Sequence, residues 1–202
     1  TIGSVTTLAA RPMSITHESE DYETRDIMIC ADVSGSMHDV DVEVFDYMRE
    51  VVASLKGQRI GLTLFNGAPV MFSPLSNDYV AIDGILENLT KDIDDYVATV
   101  DGASFGSSKI GSSTIGCMNN FDKLEDEERS RALILITDNI NNDKITLTQA
   151  AEYGMRYGVV LYNINAYSGD IAKLTSKLNM GDITSEEEYE MYKTGNVTGG
   201  NY

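Results

Sequence analysis

Two short runs constrain this chain more than anything else in it. "DIMICAD" (Asp26–Asp32) and "RALILITD" (Arg131–Asp138) are continuously apolar between charged ends. A strand with one wet face alternates apolar and polar residues, whereas an unbroken apolar run of this length belongs to a strand covered on both faces. Such cover calls for helices above and below the sheet, and the intervening segments supply them. In "DVDVEVFDYMREVVASLKG", Val44, Tyr47, Met48, Val51, Val52 and Leu55 recur at helical spacing, acids crowd the first turn and Gly57 follows the end. "RIGLTLFN" reads as a second strand. "GAPVMFSPL" follows an Asn66-Gly67 turn and is expected to return antiparallel at the sheet edge. "NDYVAIDGILENL" is a helix with Asn77 or Asp78 as its cap.

Residues 90–113 read as a Gly- and Ser-rich loop, and helical periodicity resumes in "TIGCMNNFDKLE". "ITLTQAAEYGMRYG" is helical, "VVLYNINAY" a strand, "GDIAKLTSKLN" and the acidic "TSEEEYEMYKTG" helices, and "GGNY" the entry to one more strand. Strands alternating with helices imply a mostly parallel sheet joined by right-handed crossovers. Residues 1–25, polar and weakly alternating, form an arm or edge strand, and residues 26–202 read as one domain without internal repeats.

The 202 residues include 17 Gly and only 3 Pro, and 42% are hydrophobic, enough for a packed core. The formal charge of -17 repels nucleic-acid phosphates and anionic headgroups, so nucleic acid is excluded as a partner and cations are favoured. Cys30 and Cys117 match no zinc spacing and are read as two buried free thiols. No segment reaches the ~20 apolar residues of a membrane span.

In sheets of this kind ligands bind beyond the carboxyl ends of the strands. Asp32 and Asp138 each close a buried strand there. Ser34 and Ser36 follow Asp32 at two-residue steps, and Thr114 stands just before a helix. One such residue is an ordinary cap or turn former. Two carboxylates and three hydroxyls at strand–helix junctions make a set of hard oxygen donors suited to Mg²⁺, Mn²⁺ or Ca²⁺.

This D-x-S-x-S run with a separate Thr and a strand-ending Asp resembles the metal-ion-dependent adhesion site of von Willebrand factor A (VWA) domains. "AARPM", "DIMICADVSGSM", "RIGLTLFNGAPVMFSPLSNDYVAIDGILENL", "SSTIG" and "ALILITDNINN" extend the likeness to bacterial membrane-anchored VWA proteins of the aerotolerance type, BatA and BatB, over roughly residues 9–202. The resemblance implies a three-layer, Rossmann-like α/β sandwich with one antiparallel edge strand and helices on both faces. It implies Mg²⁺ (or Mn²⁺ or Ca²⁺) held by Asp32, Ser34, Ser36, Thr114 and Asp138, with His38, Ser113 and Asn139 at the rim. It implies binding of a protein partner whose acidic side chain completes the metal shell, and a domain outside the cytoplasm, tethered through flanking membrane segments. In that family the "ARPM" arm follows a membrane span, and the chain continues past the position of Tyr202 through a strand into a terminal helix, so both ends are expected to be trimmed. The sequence departs from the family where Asn139 replaces the usual glycine after Asp138.

Other classes fit less well. A surface or pilus adhesin and a metal-stabilised scaffold would use the same five residues. A phosphatase-like enzyme would need a second acid where Ser34 stands and a lysine closing a late strand. "VSGSM" lacks the first glycine of a nucleophile elbow. "NINNDKIT" has Lys144 where a calcium loop needs glycine, and reads as a helix-entry loop.

Overall fold

A computed structural model describes residues 25–37, 41–92, 108–124, 130–140, 143–166 and 186–200. Its elements are β1 (Asp26–Asp32), α1 (Asp41–Ser54), β2 (Arg59–Phe65), β3 (Pro69–Ser76), α2 (Tyr79–Lys91), α3 (Ile110–Met118), β4 (Arg131–Thr137), α4 (Leu147–Arg156), β5 (Val159–Asn165) and α5 (Glu186–Thr198). The arm over residues 1–24 and the helix expected over 169–179 lie outside the described residues.

The five strands form one sheet in the order β3-β2-β1-β4-β5. β1 lies at its centre, parallel to β2 on one side and to β4 on the other. β5 is parallel to β4, and β3 is antiparallel to β2 at the edge. The expected mostly parallel sheet with one antiparallel edge strand is what forms.

All seven residues of β1 are buried, because successive side chains enter different cores. Ile29 and Ala31 pack with Val44, Phe45, Met48 and Val52 of α1 and with Ile82, Leu86 and Leu89 of α2. Met28 and Cys30 pack on the other face with Ile110, Cys117 and Met118 of α3, with Leu147 and Ala150 of α4, and with Met191 of α5. Helices therefore cover both faces, which is why the run reads as apolar throughout.

Local signals set the ends of several elements. Gly57 takes φ +102°, ending α1 in the left-handed region that glycine enters without a Cβ clash. Asp78, one of the two expected caps, accepts the Ala81 N–H at 3.0 Å. Thr146 and Gln149 form a reciprocal capping box that starts α4.

Two expectations are corrected. The loop expected over 90–113 ends earlier, and α3 starts at Ile110, so Thr114 lies one turn inside the helix. Gly111, Ser112 and Ser113 are weak helix formers, but tertiary contacts override propensity here. The Ser112 N–H donates to Asp143 Oδ2 at 2.7 Å, and Ile110 is fully buried. Cys30 and Cys117 are not free thiols. They form a disulfide across 87 residues with a Cα–Cα distance of 6.1 Å. The pairing follows from strand register and helix placement, which spacing alone does not reveal.

Candidate metal centre

The carboxyl end of β1 opens into a tight turn. Val33 N–H donates to Phe65 O at 2.8 Å, carrying the strand pairing one residue past Asp32, and Met37 N–H then closes on Ser34 O at 2.9 Å. Within this turn the Ser34 N–H donates to Asp32 Oδ1 at 2.9 Å. The Ser34 and Ser36 hydroxyl oxygens lie 3.1 Å apart. Two-residue spacing thus places carboxylate, hydroxyl and hydroxyl together. Asp32 and Ser34 are buried, whereas Gly35 and Ser36 are exposed, so one side of the group reaches solvent.

Neighbouring β4 supplies the next residues. Ala31 pairs with Ile136, which sets Thr137 beside Asp32. The Thr137 hydroxyl donates to Asp32 Oδ2 at 2.7 Å and accepts the Asn139 N–H at 3.1 Å. Asp138 follows, largely buried, and its Oδ1 accepts the Ile140 N–H at 2.9 Å. Asn139 takes φ +55°, the conformation that glycine would adopt freely and that Asn tolerates best among other residues.

α3 begins at the same edge, since Lys109 N–H donates to the carbonyl of Asn66, which directly follows β2. Thr114 is fully buried, and its hydroxyl donates to Ile110 O at 2.7 Å. With its proton so committed, the oxygen keeps its lone pairs for another group. No hydrogen bond joins Thr114 to the other four residues. Ser113 beside it is fully buried, with an Oγ that has no partner. His38 lies outside the described residues.

Electrostatics mark Asp32 as the centre of the group. Burial pushes its carboxyl up to about 6, against the hydrogen bonds from Thr137 and Ser34, and the charge of Asp138 adds to the rise. No described Lys or Arg pairs with Asp32 or Asp138. Two buried carboxylates, with hydroxyls beside them and no cation paired with them among the described residues, form an environment suited to a hard divalent ion. The described residues contain no cluster of three or more His, Cys, Asp or Glu that could hold a metal, so any ion here depends on hydroxyl oxygens as well.

Two participants escape a reading of the sequence. Thr137 carried a usable signal, as the residue beside Asp32 in a parallel pair. Glu190 carried none. Its Oε1 accepts the Thr148 N–H and lies 3.2 Å from the Thr148 hydroxyl, while its Oε2 accepts from Asn139 Nδ2 at 3.3 Å. A cleft lined by Phe121, Tyr153 and Tyr157 lies at the far ends of α3 and α4, away from this group.

The model of the von Willebrand factor type A domain matches residues 27–141. Among solved structures, an aerotolerance-related membrane protein from Bacteroides fragilis carrying multiple mutations to serines has 18% identity and a TM-score of 0.63, covering 87% of this chain and 89% of its own. BatB from Bacteroides thetaiotaomicron has 20% identity and a TM-score of 0.61, with 85% and 87% covered. The manganese-loaded TRAP protein of Plasmodium vivax has 19% identity and a TM-score of 0.58, with 75% and 61% covered. These are likenesses of fold. No curated protein matches the chain in sequence. With more than half of its length matched, and a mostly parallel five-stranded sheet that has the expected antiparallel edge strand, the chain belongs to the von Willebrand factor A domain family.

Proposed function

We propose that this domain binds a protein partner through a divalent cation, Mg²⁺ in the first place. Asp32, Ser34, Ser36, Thr114 and Asp138 would hold the ion, with Ser113 and Asn139 at the rim. The observation that carries the reading is the buried Asp32 carboxylate, held in one turn with the Ser34 and Ser36 hydroxyls and acted on by the charge of buried Asp138, with no Lys or Arg among the described residues paired with either carboxylate. An ion held largely by hydroxyl oxygens keeps much of its positive charge, and it could accept a carboxylate from outside. That offers an acidic side chain a binding point on a surface that otherwise repels it. The exposure of Gly35 and Ser36 favours this open arrangement over a purely structural ion enclosed by protein atoms.

A location outside the cytoplasm draws support from the Cys30–Cys117 disulfide, since such bonds persist in oxidising compartments. Among the described residues no helix is long and apolar enough to cross a membrane.

Calorimetric titration of Mg²⁺, Mn²⁺ and Ca²⁺ into metal-stripped protein, beside Ser34→Ala, tests the proposal. Saturable one-site binding that weakens at least about tenfold in the variant is the expected result. Absence of binding by the parent protein overturns it.

A further inference from the structure

Helix α3 carries Thr114, yet little within it fixes its position. It has nine residues, too few to be stable alone, and Lys109 at its start provides no side-chain cap. Its placement is imposed from outside. A Cβ on Gly111 would meet Ile145 O at 2.1 Å, and one on Gly116 would meet Pro69 Cγ at 2.4 Å, so the helix is wedged between the β4–α4 loop and β3. Asp143 holds its first turn through Ser112. The covalent tie is Cys117, bonded to Cys30 of β1, with both residues fully buried. Cys30 stands two residues before Asp32, and Cys117 stands three residues, about one turn, after Thr114. The bridge therefore joins the strand that ends in Asp32, Ser34 and Ser36 to the helix that carries the remaining hydroxyl of the set.

We infer that the Cys30–Cys117 bridge positions Thr114 against Asp32 and Ser34, so that the thiol–disulfide state of this pair sets the divalent-cation affinity of the site. The inference rests on the metal-site reading above. Reduction breaks the S–S bond. Two electrons and two protons come from a dithiol, which is oxidised to its own disulfide, and thiols remain on Cys30 and Cys117. Without the bond, α3 is held against β1 by packing and by the Ser112–Asp143 hydrogen bond but by no covalent tie, and a shift of the helix moves Thr114 away from the β1 turn.

Linkage supplies a readout that a merely stabilising bridge would not move. If the bridged form binds Mg²⁺ more tightly by some factor, Mg²⁺ must favour the bridged form by the same factor. The full chain is equilibrated in buffers of reduced and oxidised dithiothreitol, with and without saturating Mg²⁺, and free thiols are counted. Mg²⁺ is also titrated into the oxidised protein, the reduced protein and Cys30→Ala/Cys117→Val, which fills the space without the bond. Circular dichroism confirms that each form is folded. The expected result is about tenfold weaker Mg²⁺ binding by both unbridged forms, with the redox midpoint about 30 mV more reducing in Mg²⁺. Equal affinities with an unmoved midpoint overturn the inference. A chain that unfolds on reduction also overturns it, by assigning the bridge to global stability. Failure of the oxidised protein to bind Mg²⁺ at all overturns the metal-site reading itself, and this inference with it.

Discussion

Asn139 Nδ2 donates to Glu190 Oε2 at 3.3 Å, tying the residue after Asp138 to helix α5. The tie extends a chain of hydrogen bonds that starts at Asp32 and passes through the Thr137 hydroxyl to the Asn139 backbone. Beyond Asn139, Glu190 also accepts the backbone N–H of Thr148 in the first turn of α4, where a negative charge is favoured by the helix dipole. A backbone position suited to glycine is thus filled by a residue whose side chain is anchored.

Substitution at this position separates conformation from anchorage. Asn139→Gly keeps the left-handed backbone and loses the tie, so its stability stays within about 1 kcal/mol of the parent. Asn139→Val forces a β-branched residue to φ +55° and costs about 1–2 kcal/mol from backbone strain alone. Urea denaturation measures both. A valine variant as stable as the glycine variant would contradict the strained turn.

The raised carboxyl of Asp32 gives metal-free protein a distinct pH response. Its folded value of about 6 exceeds the ordinary 3.8, so the folded state holds this proton more tightly than the unfolded chain does. The stability it contributes is full below 3.8 and is lost as pH rises through 6. Between pH 5 and 7.5, the melting temperature of metal-stripped protein therefore falls relative to that of Asp32→Asn. In the metal-binding reading an added divalent ion competes with the proton, so Mg²⁺ raises the melting temperature more at pH 7.5 than at pH 5. Parallel melting curves for parent and variant across this range would count against the assignment.

Thr137 supports Asp32 without belonging to the motif. Thr137→Val removes the donor to Asp32 Oδ2 and the acceptor of the Asn139 N–H, both in buried surroundings. The expected cost is about 1–3 kcal/mol in chemical denaturation. Divalent-ion affinity falls about 10–100-fold, as for other groups that orient a ligand. Unchanged ion affinity at reduced stability would confine Thr137 to a structural role.

Gly111 tests how α3 is seated. A Cβ there meets the Ile145 carbonyl oxygen, which is backbone and cannot rotate away. Gly111→Ala is expected to destabilise by about 1–3 kcal/mol through overpacking, although alanine is the better helix former. A gain in denaturation midpoint would show that the helix moves freely.

The sequence by itself determined the sheet and the position of the candidate site within it. Unbroken apolar runs fixed β1 and β4 as covered strands, Asn66-Gly67 placed the antiparallel return of β3, Gly57 marked the end of α1, and the start of α2 was narrowed to Asn77 or Asp78 as its cap. These signals lie within a few residues of the structure they specify, because strand alternation, helix periodicity and capping are local properties of the backbone. Asp32, Ser34 and Ser36 were legible for the same reason, since two-residue spacing after a strand brings them into one turn. Only the tertiary structure decided the rest. Cys30 and Cys117 are joined because α3 packs on the face of β1 that Cys30 enters, and a separation of 87 residues carries no such information. The start of α3 at Ile110 depends on Asp143, 31 residues away from the Ser112 it caps. The anchoring of Asn139 depends on Glu190, 51 residues further along the chain. In each case one partner's energy depends on where another element packs, and that placement is settled only when the core forms.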